Sequence, residues 1–102
     1  GIALNEIGAP FLVTTGRQLR DHGWPAGVDT LVVMLDGQRS YEQVSAPDVE
    51  IYWGAYLGMP QQILLRGRLA DVAAQISARR AQARQAHGWI MDIYLLRRPG
   101  RR

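Results

Sequence analysis

The side chains best placed to do chemistry in this 102-residue chain are arginines. Arg66, Arg68, Arg79, Arg80 and Arg84 lie in or beside one helical stretch, and Arg97, Arg98, Arg101 and Arg102 close the sequence. A guanidinium presents a planar fork of donors that matches phosphate oxygens, and it keeps its charge when partly buried. Arg66, Arg68, Arg79, Arg80, Arg84, Arg97 and Arg98 are therefore the candidate contacts for nucleic acid or another polyanion. Six such contacts at phosphates would give a log–log salt slope of roughly −5. The competing reading is a solvated face, whose cations suit the C-terminal end of a helix dipole.

Charge is distributed unevenly along the chain. The net charge is +3, and all twelve basic residues are arginine. Residues 1–59 hold three arginines against seven acids, whereas residues 60–102 hold nine against Asp71 and Asp92. Such asymmetry between halves points to an acidic partner, either nucleic acid or an acidic protein.

Other chemistries find less support. Without lysine there is no phosphate-binding loop of the GxxxxGK[ST] type and no Schiff-base chemistry. Without cysteine there is no disulfide framework and no thiolate metal site, which fits a cytoplasmic setting. His22 and His87 are far apart and neither has a second histidine nearby, so neither a metal nor a cofactor is expected. Asp48 and Glu50 share one side of an extended segment and could bind Mg²⁺ or exchange protons, but no lysine follows them in the nuclease pattern. Ser40, Ser45 and Ser77 lack a GxSxG elbow. Catalysis is not assumed.

These residues must be positioned by a small set of elements. Residues 11–15 (FLVTT) read as a first strand, and residues 17–22 as a short helix stopped by Gly23-Trp24-Pro25. Residues 30–35 (TLVVML) form an apolar run suited to a strand covered on both faces. Asp36-Gly37 follows as a turn signal, with residues 38–44 a weak returning strand. Residues 49–57 alternate, with Val49, Ile51 and Trp53 on one side and Tyr52 and Tyr56 on the other. Residues 66–87 are the best helix, with Leu69, Val72, Ala73, Ile76, Ala83 and His87 on one stripe and Gly88 as C-cap. Arg80 falls inside that stripe, where an apolar residue is wanted. A break near Gly67 is favoured, leaving residues 61–66 as a short extended or separately helical piece. Residues 89–96 supply the last strand.

The pattern predicts a single α+β domain over residues 1–96 with a basic, flexible tail at 97–102. With the weak segment 38–44 set aside, the order is β-α-β-β-α-β, the ferredoxin-like order, with an antiparallel sheet and one long and one short helix on one face. Tyr52, Tyr56 and Tyr94 can then gather on the uncovered face, as stacking residues for nucleic-acid bases or as an interface. The leading expectation is a nucleic-acid- or polyanion-binding domain. The alternatives are an assembly module that homodimerises through the tyrosine face or the 66–87 helix, and a small dimeric α+β barrel enzyme using His22 or Asp92. No N-terminal basic region leads into an apolar run, and the longest uncharged stretch, residues 51–65, is broken by glycines, a proline and two glutamines. No membrane partner is expected.

Overall fold

The computed structural model describes residues 11–34, 36–44 and 48–98. Its order is β1 (Phe11–Thr15), α1 (Gly16–His22), β2 (Thr30–Met34), a 3₁₀ turn (Ser40–Gln43), β3 (Glu50–Ala55), β4 (Ile63–Arg68), α2 (Leu69–His87) and β5 (Asp92–Arg97). The five strands form one sheet in the order β1-β2-β5-β3-β4. β1 runs parallel to β2, and the other pairings are antiparallel. The α+β class expected from the sequence is what the structure shows. The sheet is mixed rather than antiparallel because the α1 crossover sets β1 parallel to β2, and it gains a fifth strand, Ile63–Arg68, where the sequence left a short extended or helical piece.

Local chemistry explains the boundaries. Thr15 caps α1, its Oγ1 accepting from the Gln18 backbone N–H at 3.2 Å. Gly23 ends that helix in a conformation with φ +70° that glycine adopts without strain. The stretch 38–44 does not return as a strand. Asp36 Oδ2 accepts from the Ser40 backbone N–H at 2.6 Å, and Arg39 has a left-handed backbone, so the chain coils into a 3₁₀ turn. The α2 helix starts at Leu69, after the Gly67 break, and Gly88 caps it with its N–H on the Arg84 carbonyl.

The core lies between the sheet and the two helices. Leu31 and Val33 of β2, Tyr94 and Leu96 of β5, and Ile51 and Trp53 of β3 are buried in one cluster with Leu19 of α1 and Leu69, Ile76 and Ala83 of α2. Spacing of seven along α2 keeps Leu69, Ile76 and Ala83 on a narrow stripe. Burial of a side chain such as Ile76 contributes about 1.5–3 kcal/mol. Arg80 lies beside that stripe without exposing an unpaired charge: its Nε donates to Asp92 Oδ2 at 3.1 Å, and the two side chains are only 12% and 9% exposed.

Gly16 opens α1 against the same core. A Cβ there would lie 2.2 Å from Asp36 Oδ1, and Asp36 cannot retreat because its carboxylate is held by several donors. Gly16→Ala is expected to cost about 1–3 kcal/mol by overpacking, read as a lower urea midpoint. An unchanged midpoint would show that this carboxylate is free to shift.

Candidate functional site

Both helices lie on one face of the sheet, and strand alternation sends every second residue to the other. That second face carries Phe11 and Val13 from β1, Val32 from β2, Ile93 and Leu95 from β5, Tyr52 and Gly54 from β3, and Leu64 and Arg66 from β4. A groove of about 650 Å³ runs across it, walled by Val32, Ile93, Leu95, Leu57 and Leu64, with Tyr52 and Arg66 as its polar groups. Tyr52 and Arg66 are direct cross-strand partners, so the phenol and the guanidinium stand side by side. Gly54 lies opposite Leu64, and a Cβ on it would lie 2.7 Å from Leu57 Cδ2 and 3.2 Å from Leu64 Cδ2. The missing side chain lets those two leucines lean over the strand. Leu57 and Leu64 remain 52% and 64% exposed, an apolar surface of the kind that meets a ligand or a partner.

Of the three tyrosines expected on this face, only Tyr52 is there. β3 ends at Ala55, and Tyr56 has a left-handed backbone with φ +54°, which breaks the alternation and turns its ring into the core. Its hydroxyl donates to the Trp89 carbonyl at 2.7 Å, and its ring meets His87 and Trp89 edge-on. Tyr94 faces the helices because the register sets it opposite Trp53 and Val33, leaving Ile93 and Leu95 for the groove. The aromatic stacking platform and the tyrosine interface do not form.

Tyr94 belongs instead to a buried polar hub. Asp36 Oδ2 accepts from the Ser40 backbone N–H and from the Tyr94 hydroxyl, while Oδ1 accepts from Ser40 Oγ at 2.8 Å and Arg20 Nη1 at 3.3 Å. Burial first, and then the hydrogen bond to Asp36, push the Tyr94 phenol far above its usual pKa. Burial also raises Tyr41, whose ring meets Tyr94 edge-on and whose hydrogen bond with Ser77 pulls partly the other way. In the unfolded chain both ionise near pH 10. Above that pH the unfolded state sheds protons that the folded state keeps. This contribution to stability is therefore complete below about pH 10 and declines as pH rises further, by up to about 1.4 kcal/mol per pH unit for each tyrosine. Tyr94→Phe is expected to show a shallower fall in urea midpoint between pH 9 and 11 than the parent chain. An equal slope would contradict the assignment.

The arginines do not all gather into one patch: Arg66, Arg68 and Arg97 share one sheet face, with Glu50 between Arg68 and Arg97, and the others lie elsewhere. Arg66 stands on the groove face and Arg68 at the start of α2, opposite Glu50 and beside Asp48 and Asp71. Arg79 and Arg84 are exposed on α2, while Arg80 is taken by Asp92. Arg97 is the last residue of β5, and the Arg98 guanidinium sits 4.4 Å above the Trp24 ring. Both were expected in a mobile tail; Pro99, Gly100, Arg101 and Arg102 lie outside the described residues. First-half acids also meet arginines, in Arg20–Asp36, Arg17–Asp21 and Arg39–Glu42. His22 is exposed at the end of α1, away from any acid–base partner in the groove, and Asp92 is held by Trp53 and Arg80. Among the described residues no group of three or more metal-ligating side chains is assembled, and no helix is long and apolar enough to cross a membrane.

The sequence offered the open sheet face as the pocket floor of a small enzyme, but not the residues that line the groove. The one signal of that lining was Gly54 inside an otherwise well-formed strand, the kind of position where something approaches the backbone closely. Asp36 was hidden by its neighbour, since Asp-Gly reads first as a turn.

No family model matches the chain. Over 97 residues it is 50% identical to the precorrin-6A synthase [deacetylating] of Sinorhizobium sp., a match that takes in 95% of this chain and 37% of that protein. The chain thus spans little more than a third of the length of the curated relative it matches. The crystal structure of a cobalamin synthesis related protein (CobF) from Corynebacterium diphtheriae superposes with a TM-score of 0.84 at 40% identity, over 94% of this chain and 40% of the other. The uroporphyrin-III C-methyltransferase of Thermus thermophilus shares the fold, with a TM-score of 0.60 at 20% identity over 95% of this chain and 40% of its own. A second structure of that enzyme, complexed with S-adenosyl homocysteine, gives 0.53 at 20% identity. These likenesses overturn the expectation of a nucleic-acid- or polyanion-binding domain with nucleic acid or an acidic protein as partner. They equally replace the homodimeric assembly module and the dimeric barrel enzyme: the chain resembles part of a cobalamin-synthesis enzyme.

Proposed function

We propose that this chain is the counterpart of one segment of a precorrin-6A synthase, and that its groove is the surface that meets the substrate of that reaction. The observation that carries the reading is the 50% identity sustained over 97 residues. The relative's name describes formation of precorrin-6A with loss of an acetyl group, and the shared fold of uroporphyrin-III C-methyltransferases supports a setting in which methyl groups are transferred to related substrates. The cytoplasmic setting expected from the cysteine-free sequence goes with this proposal.

The groove suits a sizeable organic molecule by volume and lining, with apolar walls and two convergent polar groups. Tyr52 and Arg66 orient it: the phenol can donate or accept, and the guanidinium pairs with an acidic substituent. The groove's donor set does not by itself fit S-adenosylmethionine. Its charged lining group is Arg66, and it brings no carboxylate to hold ribose hydroxyls. The methyl donor is therefore not assigned to these residues.

The test is a chimera in which this chain replaces the matching segment of the Sinorhizobium enzyme, assayed for precorrin-6A. The expected result is product at a rate within about tenfold of the parent, given how much sequence is shared. Leu64→Glu in the same chimera should lower the rate at least tenfold, and in this chain alone, where Leu64 is 64% exposed, it should leave the melting temperature nearly unchanged, because exposed substitutions usually alter stability by no more than about 0.5 kcal/mol. A folded chimera that makes no precorrin-6A would defeat the assignment of function. Full activity in the Leu64→Glu chimera would defeat the assignment of the groove.

A further inference from the structure

A second cleft, of about 280 Å³, lies on the helix side of the sheet between α1, the 3₁₀ turn and the end of β5. Two guanidiniums from opposite ends of the chain, Arg20 and Arg98, line it together with Trp24, Leu19, Ser40 and Gln43. We propose that this cleft binds a small organic monocarboxylate.

The framework is fixed before any ligand arrives. The Trp24 indole donates to the Val28 carbonyl at 2.5 Å, and the Arg98 backbone N–H donates to the Asp29 carbonyl at 2.8 Å. The Arg98 guanidinium lies 4.4 Å over the Trp24 ring, a cation–π contact that holds its charge at the cleft, and its five N–H donors exceed what that one contact can use. Among the described residues no carboxylate lies within ion-pairing distance of Arg98. Arg20 is anchored through Nη1, which donates to Asp36 Oδ1 at 3.3 Å and to Ser40 Oγ at 3.0 Å. Its Nε and Nη2 protons are not engaged by that anchor.

Charge selects the class of ligand. Two cations face the cleft, and the buried Asp36 carboxylate offsets one of them. The remaining single positive charge matches a monoanion better than a phosphate dianion. A planar carboxylate also fits the guanidinium fork in two parallel hydrogen bonds. Leu19 and the Trp24 ring form an apolar wall for a short organic stem, and the volume is below that of pockets holding drug-sized ligands.

The experiment is a titration of the ¹⁵N-labelled chain with sodium benzoate at constant ionic strength, following the Trp24 indole N–H and the arginine Nε–H signals. Benzamide and sodium phosphate serve as the neutral and polyanionic controls. The expected result is a saturable shift at Trp24 and Arg98 with benzoate, on the order of millimolar, at least tenfold tighter than with either control. Arg98→Gln should weaken benzoate at least tenfold with only a small fall in melting temperature, since among the described residues this guanidinium makes no ion pair and only its stack on Trp24 is lost. Arg98→Lys, which keeps the charge and loses the fork, should recover only part of the affinity. Equal shifts with benzamide, or undiminished benzoate binding in Arg98→Gln, would overturn the proposal.

Discussion

Asp36→Ala is expected to destabilise the fold by about 3–5 kcal/mol, a large share of the 5–15 kcal/mol that holds a domain together. Every group around this carboxylate is a donor: the Ser40 backbone N–H and Tyr94 hydroxyl on Oδ2, and Ser40 Oγ and Arg20 Nη1 on Oδ1. Truncation leaves the Ser40 N–H without an acceptor and Arg20 without its counter-charge. The backbone N–H cannot reorient, whereas the two hydroxyls can. Arg20 is 23% exposed and recovers some hydration, which keeps the loss at the lower end of the range for a broken buried pair. Asp36→Asn tests the same argument without a cavity. Its amide must turn an NH₂ toward one pair of donors, so about 2–3 kcal/mol should be lost even though the volume is kept. Urea denaturation of both variants is the measurement. A loss below 1 kcal/mol in Asp36→Ala would show that the hub does not contribute as its hydrogen bonds imply.

That hub also shows where sequence reading stopped. The apolar run at residues 30–35 and the alternation at 49–57 announced β2 (Thr30–Met34) and β3 (Glu50–Ala55), because burial on one or both faces writes itself into residue type every second position. The helix expected at 66–87 runs from Leu69 to His87, legible from its stripe and its terminal glycine, while residues 66–68 belong to β4. Strand phase was another matter. The segment 92–97 alternates apolar residues on both faces, so nothing in Ile93-Tyr94-Leu95-Leu96 says which side meets the helices. Register against Trp53 decides it, and register is a long-range property. Tyr56 was misplaced for a backbone reason: one residue with positive φ reverses the alternation, and tyrosine gives no sign of it. The arginines misled because linear clustering is not spatial clustering. Asp36 is 16 residues from Arg20, and Asp92 is 12 from Arg80, yet each neutralises its partner in the fold. The lining of the groove depends on four strands at once, and only Gly54 hinted at it.

Trp53→Ala should cost about 3–5 kcal/mol, the range for removing a fully buried aromatic side chain from a core. Trp53 is 1% exposed at the centre of the sheet, where its ring packs in the cluster that joins Ile51, Tyr94 and Ile76. Part of the cost is polar. The indole Nε1 donates to Asp92 Oδ2 at 2.8 Å, and the Arg80 Nε donates to the same oxygen at 3.1 Å, so two donors from different elements hold one nearly buried carboxylate. Trp53→Phe separates the contributions, since it keeps an aromatic ring and removes the N–H; about 1–3 kcal/mol should be lost. Arg80→Met keeps the stem that packs along α2 and removes the charge, leaving Asp92 with the indole alone. The two substitutions act on one oxygen, so their combined cost should depart from the sum of the singles by at least 0.5 kcal/mol. Strict additivity in that double-mutant cycle would mean that the indole and the guanidinium hold Asp92 independently. Coupling would identify Asp92 as the point where the charge on the long helix is fixed to the sheet, which is why an arginine can occupy the edge of that helix's buried stripe.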